Sequence, residues 1–294
     1  MYTVVSALVA AEKAFLGENR VWKFDNQKQA EFIGQFLEVC RPDLGKIKEF
    51  ETIASLSEEP INAFLRDKGF DIQLDKFPVL TPPERAWGAA SVLDLLLKWR
   101  EKGEKTEITT PDKRNFPAAK MPSSGTSVFG LAAHPYPIAQ VRTDSDDTVF
   151  MTVCDEELEI FDLVHKAEWI LDPNLCINTK PSREYEGLVF PMIDLDHKVD
   201  INWLTGMFTI DDEGWLNRIT QALQQTKLKM NHEGARIKDA VAVAGVRECC
   251  FTPRQPLIID KPFLFLVKRP GLDKPLFAAR LTEEVWKDPG SLDM

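Results

Sequence analysis

The residue pattern of this chain predicts an α+β fold. Three observations carry that prediction. Apolar residues recur at helical spacing through the first hundred residues, whereas β-rich runs bounded by turn residues dominate afterwards. No regular alternation of strand and helix runs along the chain, so a parallel βαβ sheet is not expected. Near the end, residues 263–267 and 276–279 form two apolar runs around a charged segment that contains Pro270 and Gly271. That arrangement reads as a β-hairpin. The run PFLFLV is apolar on both alternating faces, so both faces of its strand must be covered.

The helices come first. Residues 4–16 place apolar side chains on most turns. Asp25 can cap a helix bearing Ala30, Ile33, Phe36, Leu37 and Cys40. Ser57 can cap another through Leu65, with Pro60 in its first turn. At Thr81 the sequence Thr-Pro-Pro-Glu offers a capping box, which predicts a helix through Trp87, Val92, Leu93, Leu95, Leu96 and Trp99 that ends by Gly103. Residues 102–114 are charged and contain Pro111, which predicts an exposed connection. Strands are expected over 148–154, 186–193 and 226–230, and a turn at 145–147. Residues 155–169 and 214–223 return to helical character. The chain is expected to form a single domain over 1–294, with 1–117 mainly helical and 118–294 a strand-rich core.

Composition narrows the function classes. The chain has 294 residues, 44% of them hydrophobic, with a formal net charge of −10. One large core or two modest ones are within reach. The acidic balance argues against non-specific nucleic-acid binding and against anionic membrane surfaces. No apolar run approaches the ~20 residues that span a bilayer. The N-terminal apolar stretch lacks a basic lead, and Glu12 and Lys13 interrupt it, so it reads as a helix of the mature protein rather than a signal peptide. The five cysteines, Cys40, Cys154, Cys176, Cys249 and Cys250, are odd in number and fit no zinc spacing. Free thiols and an intracellular, cytoplasmic setting are expected, with secretion left open.

Few residues suggest catalysis. The four histidines are His134, His165, His197 and His232, and no nucleophile elbow, phosphate loop or H-E-x-x-H is present. A Cys/His pair assembled in space stays open as an alternative, because such partners meet only in the fold. The acidic runs 144–147 and 194–197 lack the Gly and terminal Glu of a calcium loop. A solvated turn and the polar face of a strand are the plainer readings. No cofactor or metal is expected. Adjacent Cys249 and Cys250 diverge along an extended strand and are not expected to pair with each other.

The run from Asp260 to Arg280, with Pro262, Phe263, Phe265, Leu276 and Phe277, resembles the C-terminal signature of the serpin family, with Ala279 where that family usually has Gly. Upstream, 226–245 (TKLKMNHEGARIKDAVAVAG) resembles the serpin strand that runs into a Glu-Gly hinge and a reactive loop. Residues 188–203 (LVFPMIDLDHKVDINW) are similar to the strand before it. A weaker similarity extends back to about Ala118. The resemblance implies a serpin-like fold with a shortened N-terminal half and no catalytic residue. It implies a hinge at Glu233, Gly234 and Ala235 and a reactive-loop-like segment at 234–256, with Val246, Arg247, Glu248 and Cys249 as candidates for the cleaved region. A serine or cysteine protease would then be the partner, with the chain as inhibitor or substrate. A non-inhibitory interaction protein is the alternative.

Serpin loops insert into the central sheet after cleavage. With a side-chain period of two, Ala235, Ile237, Asp239, Val241 and Val243 would face the core. Arg236, Lys238, Ala240, Ala242 and Ala244 would face solvent. An ionised Asp239 facing inward is costly without a partner. Ile237 is bulkier than the family prefers there, and His232 stands where the family normally has a second Glu. These departures argue against fast insertion, whereas the alanines favour it.

Overall fold

The computed structural model describes residues 1–131, 133–172, 182, 184–237 and 255–293. They divide into two compact units. One comprises Met1–Asp94 and Asp196–Thr226, the other Leu95–Leu195 and Lys227–Asp293.

The first unit opens with α1 (Tyr2–Ala11), whose hydrogen bonding widens to a π-helical turn over Glu12–Leu16. Val4, Val5, Leu8 and Leu16 are buried. Next come α2 (Gln27–Phe32) and the short α3 (Glu38–Cys40), joined by a second π-helical turn. The cap of α2 is Asn26, one residue beyond the expected Asp25: its Oδ1 accepts the Gln29 amide at 3.0 Å. Phe32, Phe36, Leu37 and Cys40 are fully buried along this stretch. Strand β1 (Phe50–Ser55) follows, then α4 (Glu58–Asp67), with Ser57 at the expected cap position but without a capping hydrogen bond from its side chain.

Residues 81–99 depart from expectation. Thr81 to Glu84 closes a turn, with the Glu84 amide on Thr81 O at 3.1 Å. The chain then continues as β2 (Gly88–Leu93) and β3 (Leu95–Lys98) rather than as a helix. The same residues carry a period of two: Gly88, Ala90 and Val92 are buried in β2, and Leu95, Leu97 and Trp99 along β3. β2 pairs antiparallel with β1 over its whole length. Ala90 and Val92 then meet Ile61 and Leu65 of α4, with Ile53 and Phe64 packed against them. Sheet pairing and this packing override the capping signal.

In the second unit β4 (Glu104–Thr109) replaces the exposed connection expected there and pairs along β5 (Asn115–Met121). Then come β6 (Thr126–Phe129), β7 (Ile138–Arg142), β8 (Thr148–Val153) and α5 (Ile160–Ile170). After α5 lies β9 (Leu188–Pro191), and β10 (Ile193–Val199) carries the chain back to the first unit. There β11 (Phe208–Ile210) and β12 (Leu216–Arg218) form a two-stranded ribbon in place of the helix expected over 214–223. The Asp211 carboxylate fixes the intervening turn by accepting the Glu213 and Trp215 amides at 3.0 and 2.9 Å and Asn217 Nδ2 at 3.0 Å.

The remaining strands are β13 (Gln224–Met230), β14 (Gly234–Ile237), β15 (Leu257–Ile258), β16 (Phe263–Lys268) and β17 (Phe277–Leu281). The five-stranded sheet β17-β16-β8-β7-β6 packs Phe129, Ile138, Phe150, Leu264 and Leu266 against Ala167, Ile170 and Leu171 of the α5 region. β16 is central, paired on both sides, and Phe263 through Val267 are all buried. The doubly apolar reading of this hairpin therefore stands. A second sheet in this unit has the order β15-β9-β5-β4.

Cys40 and Cys154 are buried thiols, and the other three cysteines lie outside the described residues. Among the described residues, no helix is long and apolar enough to cross a membrane. The acidic turn at 145–147 is tied down by Arg269, which forks onto the Asp147 carboxylate with two contacts of 2.8 Å. Among the described residues no group of His, Cys, Asp and Glu is arranged to hold a metal.

Candidate functional site

The expected hinge sits at the turn between β13 and β14. Asn231 organises it. Its amide donates to Gly234 O at 2.9 Å, and its Oδ1 accepts the Glu233 amide at 2.8 Å. Asn is suited to this because its short side chain mimics a backbone turn. The chain then reverses, with Met230 opposite Ala235 and Lys229 opposite Arg236.

The other side of β14 is occupied as well. It runs antiparallel to β3, with Gly234 opposite Lys98, Ala235 opposite Leu97, Arg236 opposite Leu96 and Ile237 opposite Leu95. The four residues that begin the loop-like segment are thus a strand between β13 and β3. Gly234 is required by proximity. An ideal Cβ there would lie 2.3 Å from Leu97 O and 3.2 Å from Lys98 Cα, and real Cβ atoms do not approach backbone so closely. Ala235 is fully buried, as the alternation requires.

Arg236 corrects the expected outward set. It is only 7% exposed, and its guanidinium lies 3.7 Å from the Asp293 carboxylate. The expectation of a solvent-facing Arg236 considered only the sheet and omitted the segment that covers this face. Lys238, Asp239 and the rest of the alternating sets lie outside the described residues. So do Val246, Arg247, Glu248 and Cys249.

The sequence reading missed the residues that brace the turn, because it placed them in a helix or an exposed connection. The Trp99 indole Nε1 donates to Asn231 O at 2.9 Å, and the Trp99 amide to Glu233 O at 3.2 Å. The Gly103 amide donates to His232 O at 2.7 Å. Lys102 pairs with the Glu233 carboxylate. That hydrogen bond, followed by the lysine's charge, holds the Glu233 carboxyl below its ordinary range. His232 is also shifted down: burial disfavours the imidazolium, and Lys102 and Lys105 add to this against Glu233 and Asp288. The signal that identifies this brace is the alternation Leu95, Leu97, Trp99.

Two of the described Cys and His side chains have structural partners of their own. Cys154 Sγ approaches Glu156 O at 3.7 Å, and His134 Nε2 bonds Thr152 Oγ1 at 2.7 Å.

No family model matches the chain. Its sequence is 26% identical over 194 residues to plasminogen activator inhibitor 1 of Bos taurus, a match that covers 60% of this chain and 42% of that protein. The chain therefore spans less than half the length of this relative. Among solved structures, thyroxine-binding globulin in complex with thyroxine is similar with a TM-score of 0.50 at 12% identity, over 76% of this chain and 63% of that one. A serpin from the insect Tenebrio molitor aligns over 95% of both chains with a TM-score of 0.47 at 13% identity. The likeness to the globulin, at that identity, shows the fold alone.

Proposed function

We propose that this chain is a distant member of the serpin family and that it engages serine or cysteine proteases through segment 234–256, as inhibitor or substrate. The observation that supports the reading most directly is the strand Gly234–Ile237 between β13 and β3. The sheet accepts the start of the segment. It does so with the small residues that close approach demands, Gly234 against Leu97 O and Ala235 in the core. Glu233, Gly234 and Ala235 then serve as the hinge, and a protease cuts further on, with Arg247 the bond suited to trypsin-like enzymes. The reading calls for no cofactor and no catalytic residue of the chain's own.

Incubation with a panel of serine and cysteine proteases, resolved on a denaturing gel and by mass spectrometry, tests this. The expected result is preferred cutting within 241–251. A covalent complex that survives denaturation identifies an inhibitor, and clean nicking a substrate. Cutting confined to other segments of the chain would refute the reading.

A second reading, a non-inhibitory serpin-like interaction protein, is favoured by one observation. The first four residues of the segment already sit in the sheet, braced by Trp99 and Lys102. That part of the insertion is complete before any protease acts, and its free energy is not available to trap one.

A further inference from the structure

The face of the β13–β14 hairpin carries an electrostatic problem and its solution. Lys229 and Arg236 are direct register partners. Two like charges opposite one another on a sheet repel. Residues 286–293 answer this. Lys229 Nζ donates to Asp293 O at 2.5 Å, and the Asp293 carboxylate lies 3.7 Å from the Arg236 guanidinium. One residue thus takes up both cations, and it caps a pair that only an inserted β14 brings together. The segment has further points of attachment. Asn231 Nδ2 donates to Gly290 O at 3.2 Å, at the hinge turn itself. Asp288 pairs with Lys105 at 2.9 Å and folds back to accept the Gly290 amide at 2.9 Å. Trp286 anchors the other end. It is buried, bridges to Ile193, and its ring packs edge-on against Phe116 and at a tilt against Phe263.

We propose that 286–293 is a strap that holds the first strand of the loop-like segment in the sheet, so that the inserted position of Gly234–Ile237 depends on it. Trp286 fixes the strap to the core, and Gly290 and Asp293 carry the latch. Displacing 288–293 removes the acceptors of Lys229 and Asn231 together with the Asp293 charge beside Arg236, and so takes away what the strap sets against the repulsion of the two cations. β14 then becomes the weakest strand of its sheet and is free to leave it. The strap acts whether or not a protease cuts that segment, so a negative protease panel leaves it standing.

Hydrogen exchange of the β14 amides in the 294-residue chain tests it, with the β16 amides as an internal standard. In Asp293→Lys, loss of the pair and the added like charge should speed β14 exchange about fivefold. A chain ending at Lys287 loses the backbone acceptors as well and should exceed about tenfold. β16 should not change in the point variant, because its protection comes from two-sided pairing in another sheet. The swap Arg236→Asp with Asp293→Arg re-forms the pair with Lys229 in register and should restore β14 protection. If the shortened chain also loosens β16, Asp293→Lys and the swap decide. Unchanged β14 exchange in Asp293→Lys, or a swap that restores nothing, overturns the strap.

Discussion

Replacing Gly234 by Ala should loosen β14 in its sheet without unfolding the protein. The methyl group would meet Leu97 O at 2.3 Å, Lys98 Cα at 3.2 Å and Leu97 C at 3.3 Å. All three are backbone atoms of the strand paired with β14, so no flexible side chain can swing aside. Overpacking of this kind costs about 1–3 kcal/mol. Alanine also restricts the unfolded chain, which returns about 0.5–1 kcal/mol. The net is about 1–2 kcal/mol against insertion, a factor of roughly 5–30 in the opening equilibrium of β14. The assay is amide exchange over Gly234–Ile237 together with the rate of trypsin cleavage after Arg236. Both should rise by that factor, while the midpoint of global unfolding moves little. The global transition is set by the larger cores, to which the described residues of β14 contribute no large apolar side chain, only Gly234, Ala235 and Arg236 being buried among them. Unchanged or slower exchange would refute the close-approach argument. It would mean that β3 and β14 separate easily, and that Gly234 is at the hinge for some reason other than space.

Because burial holds the His232 pKa below its ordinary 6.5, the unfolded turn binds the proton more tightly than the folded one. Its contribution is therefore complete above about 6.5 and is lost as pH falls toward the lowered folded value. β14 exchange, corrected for its intrinsic pH dependence, should accelerate over that window, and His232→Gln should abolish that step. A Gln variant with the same profile as wild type would reject His232 as its source, leaving Glu233, which titrates lower, below its ordinary 4.5. Phe265→Ala removes a fully buried ring that lies 6.1 Å from that of Phe277. It should cost about 3–5 kcal/mol in chemical denaturation, and a loss below about 1 kcal/mol would contradict the central place of β16 in its sheet.

The chain's own residues determined the parts of the fold with one physical solution. A strand apolar on both faces has to be central, and 263–267 is paired on both sides as PFLFLV demands. Helices through 2–16 and 27–40 follow from periodicity that no strand could satisfy. Met230, Gly234 and Ala235, read as a strand entering a small-residue hinge, fell into that arrangement. Tertiary structure decided where two periods coexist. Residues 88–99 carry both a capping signal upstream and an alternation of buried positions. The strand wins because β1 and α4 supply one half with partners and β14 supplies the other. Residues 104–109 are charged and look exposed, yet β5 pairs with every one of them. The site was split in the same way. Glu233 and Gly234 were read as a hinge from their neighbours in sequence, and they lie at the turn between β13 and β14. The brace from Trp99 and Lys102 and the strap from Asp293 come from distant stretches, and hydrogen bonds between distant stretches leave no local periodicity. Arg236 shows the consequence: by alternation alone it faces outward, and only the segment folded across it makes that face an interior.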